Sequence, residues 1–233
     1  MSNQILLKGL SQSFETNEQK VTLFEQLNLS IEQGKSYAIT GPSGAGKSSL
    51  MLLASGLEQA SDGDVVYLQK GKETSIDALR QDVGFIFQQF HLLPELTALN
   101  NVALPLKLRG DKHALVKAQE WLNKVGLSHR EHHKPSELSG GEQQRVAIAR
   151  ALVFNPKFIF ADEPTGNLDP NTATDVANIL INCCKENGAA LIMVTHSMTL
   201  ANQAETVFSL ANGCLTQTEK QSFSNAEAEK VAV

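Results

Sequence analysis

Eight consecutive residues, Gly41-Pro-Ser-Gly-Ala-Gly-Lys-Ser48, restrict what this chain can fold into more than any other stretch. They fit the spacing G-x-x-x-x-G-K-[ST], a glycine-rich loop that cradles phosphate. The apolar segment Ser36 to Thr40 predicts a strand entering the loop, and Ser48 to Ser55 predicts a helix leaving it. In that order, glycines let successive backbone N–H groups turn inward, and the helix N-terminus adds partial positive charge. Lys47 then reaches the β- and γ-phosphates of a nucleotide, and the Ser48 hydroxyl is a ligand for Mg²⁺. Gly41, Pro42, Ser43, Gly44, Ala45, Gly46, Lys47, Ser48 and the following Ser49 are therefore the candidate nucleotide-binding residues. A chance glycine-rich turn is the bland alternative, and the strand–loop–helix order argues against it.

The 233 residues suffice for one large domain or two small ones, with a substantial buried core. A net charge of −5 argues against a general polyanion binder, so no nucleic-acid partner is expected. Cys183, Cys184 and Cys214 show no metal-ligand spacing and read as reduced, mostly buried thiols of a cytosolic protein. The N-terminal residues lack a signal-peptide pattern, and no apolar run approaches the ~18 residues of a spanning helix.

Ile5 to Leu7 and Leu27 to Ile31 predict short strands joined by a polar surface loop, Glu15 to Lys20. Asp64 to Leu68 predicts a strand followed by polar Gln69 to Ser75, and Val83 to Phe87 a buried strand. From His91 to about Pro135 apolar residues recur at helical spacing, at Leu96, Leu99, Val102 and Leu106 and again at Leu115, Ala118, Leu122 and Val125. Glu142 to Phe154 and Thr172 to Lys185 predict helices. Phe158 to Ala161 and Ala189 to Thr195 predict buried strands, and Asn212-Gly213 a hairpin turn between Val207–Ala211 and Cys214–Thr216. This alternation implies an α/β fold with a parallel sheet covered by helices. The expected layout is one domain over 1–218, with core and β parts at 1–90 and 138–218, helices at about 91–137, and a polar tail at 219–233.

Two further stretches carry chemistry. Phe158-Ile-Phe-Ala-Asp162-Glu163 is a buried strand that delivers two acids to the carboxyl edge of the sheet, where open α/β sheets bind ligands. Asp162 suits Mg²⁺, through water, and Glu163 suits orienting and deprotonating a water that attacks the γ-phosphate. Solvated acids opening a loop at Pro164 are the plain alternative. Leu138-Ser-Gly-Gly-Glu142-Gln-Gln-Arg145 opens a helix with small residues that leave backbone N–H groups uncovered for an anion. Ser139 and Glu142 also fit a capping box, and both readings hold together.

Leu138 to Gln144 resembles the signature motif of ABC-transporter ATPases, and the other motifs of that family follow in order. Gly41 to Ser48 is similar to its Walker A, Phe158 to Glu163 to its Walker B, Gln88 to its Q-loop glutamine, Asn167-Leu168-Asp169 to its D-loop and His196 to its switch histidine. Phe14 falls where an aromatic ring stacks on adenine. Taken singly, Gln88 is a polar residue at a strand end, His196 a surface histidine and Phe14 a core residue; order and spacing set those readings aside. The resemblance covers about 5 to 217. It implies a P-loop NTPase fold with a RecA-like parallel-sheet core, a small antiparallel β subdomain and an inserted helical subdomain.

It also implies ATP and Mg²⁺ as cofactors and a second copy as partner. ATP would lie between the phosphate loop of one copy and Ser139, Gly140 and Gly141 of the other. Gln88 would sense the γ-phosphate and Mg²⁺, His196 would contact the γ-phosphate, and Asp169 would couple the two sites. Phe90 to Pro105 and Ala161 to Asp169 resemble the branch of lipoprotein-release and macrolide-export ATPases, with a cell-division type as a close relative. Amino-acid importers more often have Ser-Ala-Leu-Asp where this chain has Gly-Asn-Leu-Asp. That branch implies a membrane permease with a large extracytoplasmic domain, docked by the helical insertion, and a peripheral place on the cytoplasmic face of a bacterial inner membrane. A chromosome-maintenance ATPase would need sustained heptads between Ser48 and Leu138, which are missing. A small P-loop kinase has no use for Leu138 to Gln144, and intact Glu163 and His196 speak against a purely regulatory module.

Overall fold

The computed structural model describes residues 2–15 and 20–218, so the expected tail and most of the loop expected at Glu15 to Lys20 lie outside the described residues. Two long strands come first, β1 (Gln4–Glu15) and β2 (Lys20–Glu32). After them come β3 (Ser36–Thr40), α1 (Lys47–Ala54), β4 (Asp62–Gln69), β5 (Lys72–Thr74), α2 (Ile76–Gln81) and β6 (Val83–Ile86). A helical block follows, α3 (Ala98–Leu108) and α4 (Ala114–Lys124). The chain then runs through α5 (Gly140–Leu152), β7 (Phe158–Asp162), α6 (Pro170–Glu186), β8 (Ala190–Val194), α7 (Met198–Ala201), β9 (Thr206–Ala211) and β10 (Cys214–Thr218).

Six strands form the central sheet in the order β10-β9-β3-β8-β7-β6. All its pairings are parallel except the hairpin of β9 and β10. That hairpin turns at Asn212 (φ 51) and Gly213 (φ 76), the two left-handed residues that a tight primed turn requires. The parallel strands are apolar throughout because both faces are covered. Along β7, Ile159 and Ala161 join the core beneath α5 and α6, while Phe158 and Phe160 join the core beneath α1 and the second sheet. Period-two alternation thus feeds two cores from one continuous apolar run.

The second sheet is antiparallel, in the order β2-β1-β4-β5. Its first two strands run well beyond the predicted Ile5–Leu7 and Leu27–Ile31. Their ladder continues to Phe14 opposite Val21, past the buried Ile5, Leu7 and Leu10, so pairing rather than burial sets the length of this arm. The polar stretch Gln69 to Ser75 hides a tight turn at Lys70 and Gly71, the three-residue β5, and Ser75 as cap of α2. A helix that buries only Leu79 leaves little periodicity to read.

In the helical block α3 buries Val102, Ala103 and Leu106, and α4 buries Ala114, Ala118, Trp121 and Leu122. Leu115, expected on the apolar face, is exposed instead, because the face is completed by Ala114 and Trp121. Buried Asn101 ties the block to the segment before it: its amide accepts from Leu93 N and donates to the carbonyls of Leu93, Leu96 and Thr97. Among the cysteines, Cys183 and Cys184 are buried as expected, but Cys214 on β10, the edge strand, is exposed.

Candidate active site

Four parallel neighbours, β3, β8, β7 and β6, end at the same edge and deliver in turn Gly41, Thr195 with His196, Asp162 with Glu163, and Gln88. This is the carboxyl edge at which open α/β sheets bind ligands. A cavity of about 410 Å³ opens there. Ser43, Gly44, Gly46, Lys47, Ser48 and Ser49 form one wall, and Asp162, Glu163, Gln88 and Val194 the other. Leu23, from β2, closes its side. Nothing in the motif spacing signalled Leu23; only the pairing of the antiparallel arm brings it there. A second cavity of about 460 Å³ beside Gly56, Ile76 and Arg80 shares none of these residues.

The phosphate loop is held in shape by its own atoms. Gly41 (φ 145) lies so close to the carbonyl of Leu210 that a Cβ there would overlap it. Gly46 (φ 89) is the N-cap of α1 and offers no side-chain cap, leaving the first N–H groups of that helix open. By contrast Ser75, Thr97, Ser139, Asp169 and Ser197 cap α2, α3, α5, α6 and α7. The Lys47 ammonium donates to the carbonyls of Gly41 and Pro42, both at 2.9 Å. Gly41, Pro42 and Ala45 thus shape the loop without lining the cavity.

Facing the loop, Asp162 is half-buried, and this burial pushes its carboxyl above the ordinary value; the hydroxyl of Ser48 hydrogen-bonds it and pulls the other way. An alcohol and a carboxylate side by side are hard oxygen donors, the ligand type Mg²⁺ takes. Gln88, expected to share that metal, borders the cavity with its amide engaged elsewhere. It donates to Asn167 Oδ1 at 3.0 Å while Asn167 Nδ2 donates to the Gln88 carbonyl at 3.0 Å.

Glu163 adopts a left-handed backbone (φ 46), a strained conformation for a non-glycine residue, and its N–H donates to Val194 O at 2.9 Å. Its carboxylate is oriented from β8. Oε1 accepts from His196 N at 3.1 Å and lies 2.8 Å from His196 Nδ1; Oε2 accepts from the Thr195 hydroxyl at 3.3 Å. His196 therefore meets Glu163 here and is not part of the cavity wall.

Ser139, Gly140 and Gly141 are not brought to this cavity. The capping box at their helix is present: Glu142 N donates to Ser139 Oγ at 3.3 Å and Ser139 N to Glu142 Oε2 at 2.8 Å. A Cβ on Gly141 would overlap Thr172 Cγ2, so this glycine also lets α5 lie against the start of α6. Phe14 lies off the cavity too. It is 46% exposed opposite Val21, 45% exposed, and Leu23 stands two residues along the same strand. Of this end of the arm, Leu23 is the residue that reaches the cavity wall.

Residues 24–166 match the family described as ABC transporter. The chain belongs to that family. This ABC ATPase is 42% identical to the lipoprotein-releasing system ATP-binding protein LolD of Rickettsia bellii, over 92% of its own length and 99% of that relative. It is 44% identical to the macrolide export ATP-binding/permease protein MacB of Bdellovibrio bacteriovorus, over 92% of its own length and 34% of the relative's. Among solved structures it is similar to the ATP-binding cassette MJ0796 in a dimeric post-hydrolysis state bound to ADP and Pi. The TM-score is 0.79 at 34% identity, covering 92% of this chain and 99% of that one. The ABC ATPase described here binds and hydrolyses ATP as an ATP-binding component of a transporter. Among its described residues no helix is long and apolar enough to cross a membrane.

Proposed function

We propose that two copies close head to tail on ATP, each copy's phosphate loop facing Ser139, Gly140 and Gly141 of the other. The separation of those three residues from the chain's own phosphate cavity is the observation that carries this reading. It is joined by the likeness to a cassette solved as a dimer. Phe14 supplies a face for adenine, while Gly41 to Ser49 hold the phosphates and Lys47 turns from its loop carbonyls to the β- and γ-oxygens. Ser48 and Asp162, with Gln88 once it leaves Asn167, would hold Mg²⁺, which neutralises charge on those oxygens. Glu163 orients a water and takes its proton as the oxygen attacks the γ-phosphorus and the bond to the β–γ bridging oxygen breaks, leaving ADP and phosphate. His196 and Thr195 fix the carboxylate for that transfer. Asp169, cap of α6, joins the two sites.

The names of the relatives support the lipoprotein-release and macrolide-export branch. We infer a membrane permease with a large extracytoplasmic domain as the driven partner, docked on the block at about 91–137. The place of work is the cytoplasmic face of a bacterial inner membrane, and the cargo a lipoprotein or hydrophobic molecule. A domain over 1–218, with the core divided around that block, fits this division of labour.

Two substitutions test the mechanism. Lys47→Ala should weaken ATP binding roughly 10- to 100-fold, the worth of one or two charge-assisted hydrogen bonds. Glu163→Gln should keep ATP binding, lower turnover roughly 10²–10⁴-fold and accumulate an ATP-bound dimer in light scattering. Turnover at the unsubstituted rate by E163Q would remove Glu163 from its role; a strictly monomeric E163Q with bound ATP would remove the sandwich.

A further inference from the structure

The helix end that faces the partner's nucleotide carries a difficulty of its own making. An α-helix N-terminus attracts anions through its uncovered N–H groups and aligned peptide dipoles. At α5 one of the capping partners is itself an anion: the Glu142 carboxylate accepts from Ser139 N at 2.8 Å, within the first turn. Its pKa is held below the ordinary value, with the Ser139 backbone bond as the leading cause, so it stays ionised near neutrality. A formal negative charge beside a site for the γ-phosphate works against the field of the helix.

The structure supplies the remedy from outside the signature stretch. The guanidinium of Arg130 places Nε 3.0 Å from Glu142 Oε1, the oxygen that Ser139 leaves free. Its Nη1 lies 3.2 Å from His133 Nε2, which steadies the other end of the group. The pair is partly covered: the Glu142 side chain is 15% exposed and that of Arg130 36%. The covered carboxylate makes the neutralisation stronger than at a fully open surface, though solvent reaches the arginine and screens part of it. Arg130 belongs to a short 3-10 turn, Ser128–Arg130, nine residues before Ser139.

We propose that Arg130 is a positioning residue for ATP-driven closure: by neutralising Glu142 it lets the N-terminus of α5 receive the partner's triphosphate. The proposal rests on the head-to-tail sandwich. Arg130 acts through Glu142 and lies away from the wall of its own phosphate cavity. Its loss leaves the monomer's hold on ATP intact and weakens closure. Each dimer contains two such ends, so the deficit counts twice.

The experiment compares dimer formation by the whole chain in the E163Q background, titrated with ATP and read by light scattering, beside ATP affinity measured at protein concentrations too low for dimers. Arg130→Ala should raise the ATP needed for half-maximal dimer about tenfold, the scale of one buried charge at a helix end, and leave the monomer's affinity unchanged. Arg130→Lys, which keeps the charge, should stay close to the reference. The deciding variant adds Glu142→Gln to Arg130→Ala. Removing the stranded charge should recover most of the lost dimer, whereas an arginine needed only for packing would leave the double variant as weak as the single one or weaker. That result, or an R130A protein that dimerises like its parent, overturns the proposal. An E163Q protein that never dimerises removes the sandwich first and this proposal with it.

Discussion

Asp162 holds a carboxyl in surroundings that favour its neutral form, at a place where a cation is expected. Burial is the leading cause, and the neighbouring Glu163 charge adds to it. A carboxyl whose folded pKa is raised binds its proton more tightly in the folded state. Its favourable contribution is complete below the unfolded value near 3.8 and is lost as pH rises through the folded value. At neutral pH the ionised group therefore costs stability, and a cation recovers it. Asp162→Asn should accordingly raise the melting temperature of the nucleotide-free protein by a few degrees and abolish stabilisation by Mg²⁺ with ATP. In the unsubstituted protein, the Mg²⁺ concentration needed for ATP binding should rise as pH falls toward the raised pKa. A thermal-shift series over pH and Mg²⁺ checks both. The residues themselves were legible in sequence: Lys47 and Ser48 follow from the spacing of the glycine loop, Asp162 and Glu163 from a buried apolar run that ends in acids, and all four meet at one cavity. The bonds of His196 to Glu163 and of Gln88 to Asn167 were not, because they join segments 33 and 79 residues apart and depend on how the strand ends fall in space.

Among the elements, those that feed the central sheet were the plainest. β3, β7 and β8 are continuous apolar runs, and both faces of the sheet demand them. The elements that escaped notice, β5, α2 and α7, span three, six and four residues, too few for periodicity to accumulate. Gly141 shows how one residue serves two elements at once. Its lack of a side chain uncovers the N-terminus of α5 and also lets α5 approach Thr172 of α6. Gly141→Ala should cost about 1–3 kcal/mol through that overlap. Thr172→Ser deletes the methyl that collides and should return a good part of it. Denaturant unfolding of the single and double variants separates this packing loss from any effect on nucleotide, which Thr172→Ser has no means to repair.

At the scale of the molecule, one sheet edge gathers Lys47, Ser48, Gln88, Asp162 and Glu163, while the N-terminus of α5 lies away from that cavity. The head-to-tail closure proposed above would use a second copy to bring these two surfaces together. The Lys47 ammonium meanwhile donates to the carbonyls of Gly41 and Pro42, and these bonds brace the phosphate loop with the chain's own atoms. Arrival and departure of nucleotide then exchange one set of acceptors for another without rebuilding the backbone. A loop braced by its own lysine and glycines has its shape set by the chain, so refolding of the loop is not expected to limit the cycle. The slow step of the cycle should therefore lie in parting the copies and letting products go. Stopped-flow release of a fluorescent ADP should match the steady-state rate, and a loop that had to re-form would betray itself as a lag before each new ATP binds.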